Sequence, residues 1–73
     1  MTKSIPETDL KSLRKKLGLT QKEFAGKYYI ELDTLRNWEQ KRSFPVGGTK
    51  LLLFLIEENF EGIDLILKKH GLL

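Results

Sequence analysis

The chain has no cysteine and only one histidine, His70, among its 73 residues. Without cysteine there is no disulfide framework and no thiolate ligand for a metal. A single histidine without suitably spaced carboxylates cannot complete a zinc site. The sequence therefore predicts neither a metal site nor a cofactor. Because this short chain has neither a disulfide nor a structural metal to stabilise it, its stability must come from packing or from a partner chain.

Long apolar runs are missing as well. The longest unbroken run, residues 51–56, is six residues long, whereas a membrane-spanning helix needs about 20. The first residues also lack the apolar segment of a signal peptide. We therefore expect a soluble, cytoplasmic protein with no membrane partner.

A catalytic arrangement is the third thing that the sequence lacks. No serine, cysteine or carboxylate is spaced to form a triad with His70 in so small a fold. His70 itself lies near the end of a predicted helix, where a cation is favoured. We expect no catalytic residue, and we expect that the protein is not an enzyme.

The charge that is present is unevenly distributed. The net charge is +3, but residues 1–50 carry 11 basic and 6 acidic side chains, whereas residues 51–73 carry 2 and 4. A basic first part and an apolar, slightly acidic tail suggest one surface for a polyanion and another for a protein. The alternative is an ordinary solvated surface, because such an excess of basic over acidic residues is common in a segment of this length.

Hydrophobic spacing and capping signals predict an all-α domain of five helices that spans residues 1–73. Ser4 and Glu7 have capping-box spacing and are expected to start the first helix, and Thr20 and Glu23 form a second capping box. Asn59 is expected to cap the last helix. No segment shows the alternation of a half-buried strand. The predicted helices span about residues 6–17, 21–28, 32–40, 49–58 and 60–70.

The segment of residues 20–40 has the pattern of two short helices joined by a tight turn, which forces them to cross at a steep angle. Ala25 fits the close contact between them. With Leu35 pointing inward and about 100° per residue, the outward face of the second helix is polar. Arginine pairs with guanine, asparagine and glutamine pair with adenine, and aspartate accepts from cytosine. The outward residues are Asp33, Arg36, Asn37 and Gln40.

Residues 10–42 resemble the Xre-type helix-turn-helix family, the phage-repressor-like DNA-binding domains, and especially its HigA-like and MqsA-like antitoxin branch. The matching pieces are Arg14, LGLTQ at residues 17–21, FA at residues 24–25 and TLRNWEQ at residues 34–40. Residues 51–67 are similar, more weakly, to the closing helices of the family. The resemblance implies a compact phage-repressor-like fold, double-stranded DNA as the partner, and a prokaryotic or phage-encoded protein.

The resemblance also implies roles for individual residues. Asp33, Arg36 and Asn37 fall at or beside the base-reading positions of the family, and the outward face adds Gln40. Arg14 and Glu39 fall where the family has an ion pair that holds the recognition helix. Thr20 and Glu23 would form their capping box with or without DNA, so the phosphate role at this helix start comes from the resemblance alone. The implied phosphate contacts are Thr20, Gln21, Lys22, Lys41 and Arg42.

Three positions differ from the family pattern. Glu31 stands at the N-cap of the third helix, where the family usually has serine or threonine, and two turn positions lack the usual glycine. Tyr29 and Lys41 stand where the family usually has glycine. At Tyr29 the turn requires a positive φ, so the tyrosine either costs roughly 1 kcal/mol or forces another turn.

The tail is apolar on every side of its first helix, and such a helix must be buried all round. A monomer of 73 residues is too small to bury a helix on all sides. We expect a homodimer whose interface includes Leu51, Phe54, Leu55 and Phe60, and docking of a cognate toxin is the competing explanation.

Two functions therefore remain open. The first is a sequence-specific DNA-binding repressor, an antitoxin that regulates its own toxin–antitoxin operon. The second is a protein-interaction module that binds a partner through the apolar tail and binds little DNA. Affinity for duplex DNA that falls steeply with salt would separate them, because only the first function predicts it.

Overall fold

The structure is a computed structural model that describes residues 4–73. The described residues form helices and connecting turns, with no strand. The prediction of five helices is wrong, because this part of the chain contains four. Their bounds are α1 Leu10–Lys16, α2 Gln21–Lys27, α3 Leu32–Glu39 and α4 Gly47–Lys69.

The first helix starts later than its predicted residue 6. Asp9 is its N-cap, and the Asp9 side chain accepts a hydrogen bond of 3.1 Å from the backbone N–H of Ser12. Aspartate is among the strongest N-cap residues. This cap, and not the expected box of Ser4 and Glu7, sets the helix start.

The predicted second and third helices agree with α2 and α3 to within one residue at each end. The capping box of α2 is confirmed: Thr20 Oγ1 accepts from the Glu23 backbone N–H at 3.1 Å, and Glu23 Oε1 accepts from the Thr20 backbone N–H at 2.8 Å. Glu31 is the N-cap of α3 and makes no side-chain capping hydrogen bond.

Each of the four helices in the described chain ends in the same kind of turn. A residue with positive φ follows the helix, and the backbone N–H after it bonds to the carbonyl oxygen five residues earlier, as in Ile30 to Ala25 at 2.9 Å. This is the Schellman motif, which usually places glycine at the left-handed position. Glycine occupies only two of these four positions. The residues are Gly18, Tyr29, Lys41 and Gly71, with φ of 71°, 60°, 60° and 71°.

The single helix α4 replaces the predicted fourth and fifth helices. Asn59 inside it has φ −156° and ψ 69°, which are not helical values. Its side chain accepts a 2.9 Å hydrogen bond from the Gly62 backbone N–H. Asn59 thus makes the bond expected of a helix cap, at a kink within α4.

The described chain divides into two units. The three-helix unit is Asp9–Pro45, and the α4 unit consists of the described residues up to Thr8 together with Val46–Leu73. That residues 1–73 form a single domain stays a prediction. Helices α2 and α3 pack on each other, and α1 contacts α3. The buried residues of the three-helix unit are Leu10, Leu13, Phe24, Ala25, Tyr28 and Leu35.

In the α4 unit the buried residues are Leu53 and Ile56, whose exposed fraction is 0%. Within this unit Lys50 Nζ lies 2.9 Å from Glu7 Oε1. Among the helices of residues 4–73, none combines the length and the apolar character that crossing a membrane requires.

Candidate nucleic-acid interface

Helix α3 has one buried side and one polar, exposed side. Leu35 is completely buried. Asp33, Arg36 and Gln40 are exposed, and Asn37 is half-buried. The spacing of these four residues places them along one face of the helix. The structure therefore brings together the four residues that were expected to read bases.

Two of these residues contact each other. Arg36 Nη1 donates a 3.2 Å hydrogen bond to Asp33 Oδ1, one turn closer to the start of α3. The two side chains are 48% and 88% exposed, respectively. Separate base contacts were expected of these two residues, although a spacing of three residues on a helix is also a signal for such a pair.

A partly buried ion pair anchors the end of α3 to α1. Arg14 Nε donates to Glu39 Oε2 at 2.8 Å, and Arg14 Nη2 donates to Glu39 Oε1 at 2.9 Å. The side chains of Arg14 and Glu39 are only 13% and 4% exposed. Arg14 Nη1 also donates to the Leu19 carbonyl oxygen at 3.1 Å. The two residues thus meet in the two-pronged geometry that makes arginine–carboxylate pairs strong.

Gln21 joins the same network. Gln21 Nε2 donates to Glu39 Oε1 at 3.2 Å, so one hydrogen of its amide is used inside the protein. The hydrogen bonds from Arg14 chiefly, and from Gln21, hold the pKa of Glu39 below its ordinary value, although burial opposes this. Sequence reasoning assigned Gln21 only to phosphate, because nothing in its spacing revealed the contact with Glu39.

The start of α2 is already occupied by a carboxylate. The hydrogen bonds between Glu23 and Thr20 lower the pKa of Glu23, so the side chain is charged where an anion would approach the helix. Thr20 and Lys22 are exposed, and Gln21 is half-buried. Of these expected phosphate contacts, only Lys22 offers an exposed positive charge.

The other expected phosphate contacts follow α3 directly. Lys41 and Arg42 are both exposed. They are held in a defined turn, because the Arg42 backbone N–H bonds to the Asn37 carbonyl oxygen at 2.9 Å. The three-helix unit as a whole carries nine basic and five acidic side chains.

The residues expected at a dimer or partner interface differ in exposure. Leu51 and Leu55 are 44% and 43% exposed, whereas Phe54 and Phe60 are half-buried. The expected interface left out a further group of exposed apolar residues nearer the end of the chain. Ile66 was the available signal, because helical spacing places it on one apolar face with Ile63 and Leu67. The residues left out are Leu65, Ile66, Leu72 and Leu73, which are 68%, 57%, 48% and 48% exposed.

Metal ligands do not come together in residues 4–73, where no group of three histidine, aspartate or glutamate side chains could hold an ion. The chain has no cysteine to add to such a group. Comparisons of the chain with protein-family models, with curated proteins and with solved structures gave no match.

Proposed function

We propose that the chain binds double-stranded DNA in a sequence-specific manner, with α3 in the major groove, and acts as a transcriptional repressor. The observation that carries the proposal is the polar face of α3, opposite the buried Leu35. Side chains that can hydrogen-bond to base edges project there from a helix, which is the element that fits the major groove. They are Asp33, Arg36, Asn37 and Gln40.

The ion pair of Arg14 and Glu39 supports the proposal because base recognition requires a fixed helix. Glu39 is the last residue of α3. Its two carboxylate oxygens are both held by Arg14, at 2.8 and 2.9 Å. A pair with so little exposure restrains the helix end more firmly than a surface pair does.

Phosphate contacts are assigned to Lys22, Lys41 and Arg42, whose exposed charges can displace counterions from the DNA backbone. Gln21 and Thr20 are assigned weaker contacts. Gln21 keeps one amide hydrogen for a phosphate oxygen, since the other is donated to Glu39. These contacts would orient the protein on the duplex without reading its sequence.

The resemblance to antitoxins extends the proposal to autoregulation of a toxin–antitoxin operon by a homodimer. Leu51 and Leu55 lie one turn apart on α4 and are both more than two-fifths exposed, so a second copy would cover apolar surface there. Two recognition helices would then meet half-sites about 34 Å apart. The operator would be an imperfect palindrome.

Amide-shift mapping by NMR during titration with the promoter DNA of its own gene tests the proposal. We expect shifts in residues 20–42 and an affinity that falls linearly with salt on logarithmic axes. Shifts confined to residues 51–73 would contradict DNA recognition by α3.

Charge variants make this test sharper. Lys41→Gly removes a phosphate contact and also relieves the left-handed conformation at φ 60°, so a loss of affinity cannot be attributed to lost folding. We expect weaker binding to all sequences and a salt slope reduced by about one ion. Lys69→Ala, on the exposed surface of α4, removes the same charge elsewhere and is the matched control.

A second candidate function is protein binding through the α4 unit, with a toxin as the partner. It is supported by the exposed apolar residues Leu65 and Ile66. This candidate predicts that Leu65→Glu abolishes binding of the partner, whereas duplex DNA leaves the amide shifts of residues 20–42 unchanged. Binding of DNA with normal affinity by Leu65→Glu would separate the two surfaces.

A further inference from the structure

The contact between Asp33 and Arg36 leaves one edge of the arginine open. Arg36 Nη1 is bonded to Asp33 Oδ1 at 3.2 Å. Within the described chain, Arg36 Nε and Nη2 donate to no acceptor. These two groups form one of the edges with which a guanidinium makes paired hydrogen bonds. Guanine presents the matching acceptors, O6 and N7, in the major groove.

We propose that Asp33 is a positioning residue that orients Arg36 toward a guanine, and that each half-site of the DNA carries a guanine opposite Arg36. This inference rests on the proposed function and specifies the base pair that it reads. An arginine side chain has many rotamers, and the aspartate restricts them before DNA is bound. The restriction lowers the entropy cost of the base contact.

The direction of the contact fits this role. Asp33 is the second residue of α3, so Arg36 reaches back toward the start of the helix. In the helix-turn-helix arrangement the first residues of the recognition helix contact the base edges. The Asp33 contact thus holds the guanidinium at the end of α3 that enters the groove most deeply.

Two other roles for Asp33 make different predictions. If Asp33 accepted a hydrogen bond from cytosine itself, its removal would relax the preference at that cytosine and leave the guanine preference intact. If Asp33 only complemented the helix dipole, its removal would not change the preference for any base. The positioning role alone couples Asp33 to the base read by Arg36.

The charge of Asp33 gives the positioning role a second signature. A carboxylate near DNA repels phosphate, so Asp33 weakens binding to every sequence while it improves the choice of base. Removing it should therefore strengthen binding to random DNA and weaken discrimination. A variant that is merely less folded would lose affinity for random DNA as well as discrimination between bases.

The experiment is selection from a randomised duplex library, followed by affinity measurements on the selected duplex and on versions with the guanine replaced. We expect the wild type to prefer guanine by about 5- to 150-fold, the range of a good paired contact. Arg36→Ala should remove this preference. Asp33→Ala should reduce it several-fold and raise the affinity for random DNA, and Asp33→Asn, which keeps an acceptor oxygen, should lie in between.

Glu31→Gln is the matched control. Glu31 is an exposed residue two positions before Asp33, and it makes no capping hydrogen bond. Its replacement removes the same negative charge without touching Arg36. We expect Glu31→Gln to raise the affinity for all duplexes equally and to leave the guanine preference unchanged.

The outcomes separate this inference from the proposed function. If the wild type selects a duplex in which no guanine preference depends on Arg36, the inference is overturned but DNA recognition still stands. An undiminished guanine preference in Asp33→Ala would overturn the positioning role. Failure of the wild type to select any sequence would contradict the proposed function itself and the inference with it.

Discussion

The ion pair of Arg14 and Glu39 is the contact with the largest expected effect on folding. Arg14→Ala leaves the Glu39 carboxylate, whose side chain is 4% exposed, without its main partner. We expect a loss of about 3 kcal/mol in the free energy of unfolding. Arg36→Ala is the control, because it breaks an exposed pair and should cost under about 1 kcal/mol. Denaturant unfolding measures both, and equal losses would contradict a special role for Arg14.

Three carboxylates give the protein a defined response to acid. The Arg14 guanidinium lowers the pKa of Glu39, and backbone N–H groups of Ser12 and Thr20 lower the pKa values of Asp9 and Glu23. A lowered pKa in the folded state means that the unfolded chain binds protons more readily in acid. The stabilisation is therefore present above the ordinary pKa values of about 4. It is lost as the pH falls through the lowered values.

The measurement is the midpoint of urea unfolding as a function of pH. We expect little change from neutral pH down to about pH 5 and a steep fall below about pH 4. Glu39→Gln, which cannot titrate, should be less stable at neutral pH and should show a shallower fall. An equally steep fall in Glu39→Gln would place the acid response in other groups.

Tyr29 is a residue whose backbone conformation opposes its type. Its φ of 60° lies in the left-handed region, which costs about 1 kcal/mol for a residue with a Cβ. We expect Tyr29→Gly to raise the free energy of unfolding by about that amount. Gly18→Ala makes the reverse change at an equivalent turn, where an added Cβ meets no atom within 4 Å, and should lower it. A destabilised Tyr29→Gly would show that the tyrosine side chain contributes more than its backbone costs.

Within α4, Asn59 and Gly62 depend on each other. A Cβ on Gly62 would lie 2.6 Å from Asn59 Nδ2, so the amide would have to leave its 2.9 Å bond with the Gly62 backbone. In the wild type, Gly62→Ala should be nearly neutral, because the lost cap offsets the gain of about 1 kcal/mol from alanine in a helix.

Replacing both residues tests this dependence. In an Asn59→Ala background there is no cap to lose, so we expect Gly62→Ala to stabilise the protein by about 1 kcal/mol. A double-mutant cycle based on denaturant unfolding gives the coupling directly. Equal effects of Gly62→Ala in both backgrounds would contradict the contact.

The helices show which signals in the sequence were sufficient. Thr20 and Glu23 defined the start of α2 because both halves of a capping box lie within four residues. The start of α1 was missed because Ser4 and Asp9 both precede suitable positions, and spacing alone does not rank them. Asn59 was expected to start a separate fifth helix, whereas the structure has one helix, α4, with a kink at this residue.

The candidate site was predictable to a similar extent. Helical spacing was enough to place Asp33, Arg36 and Gln40 on an exposed face. The pair of Arg14 and Glu39, 25 residues apart in sequence, came only from the family resemblance. The contact of Gln21 with Glu39 could not be predicted, because it depends on how α2 and α3 pack.

Self-association is a prediction about the protein as a whole. Leu51 and Leu55 are exposed on α4, and a homodimer would bury them. We expect Leu51→Glu to shift the protein toward monomer, because the dimer would have to bury an unpaired charge. Sedimentation at tens of micromolar measures this. Leu65→Glu is the control, since it adds the same charge to the other apolar group, and a monomeric wild type would rule out the dimer.

The two left-handed turns without glycine lie immediately before and after α3, at Tyr29 and Lys41. A single substitution at either turn can recover stability without altering Arg36, Asn37 or any other residue on the polar face. Changes to that face that weaken folding could therefore be offset by Tyr29→Gly, which lies outside the proposed contacts. A library of α3 sequences built on that background would tolerate more substitutions, which gives a way to alter the DNA specificity that we propose for this helix.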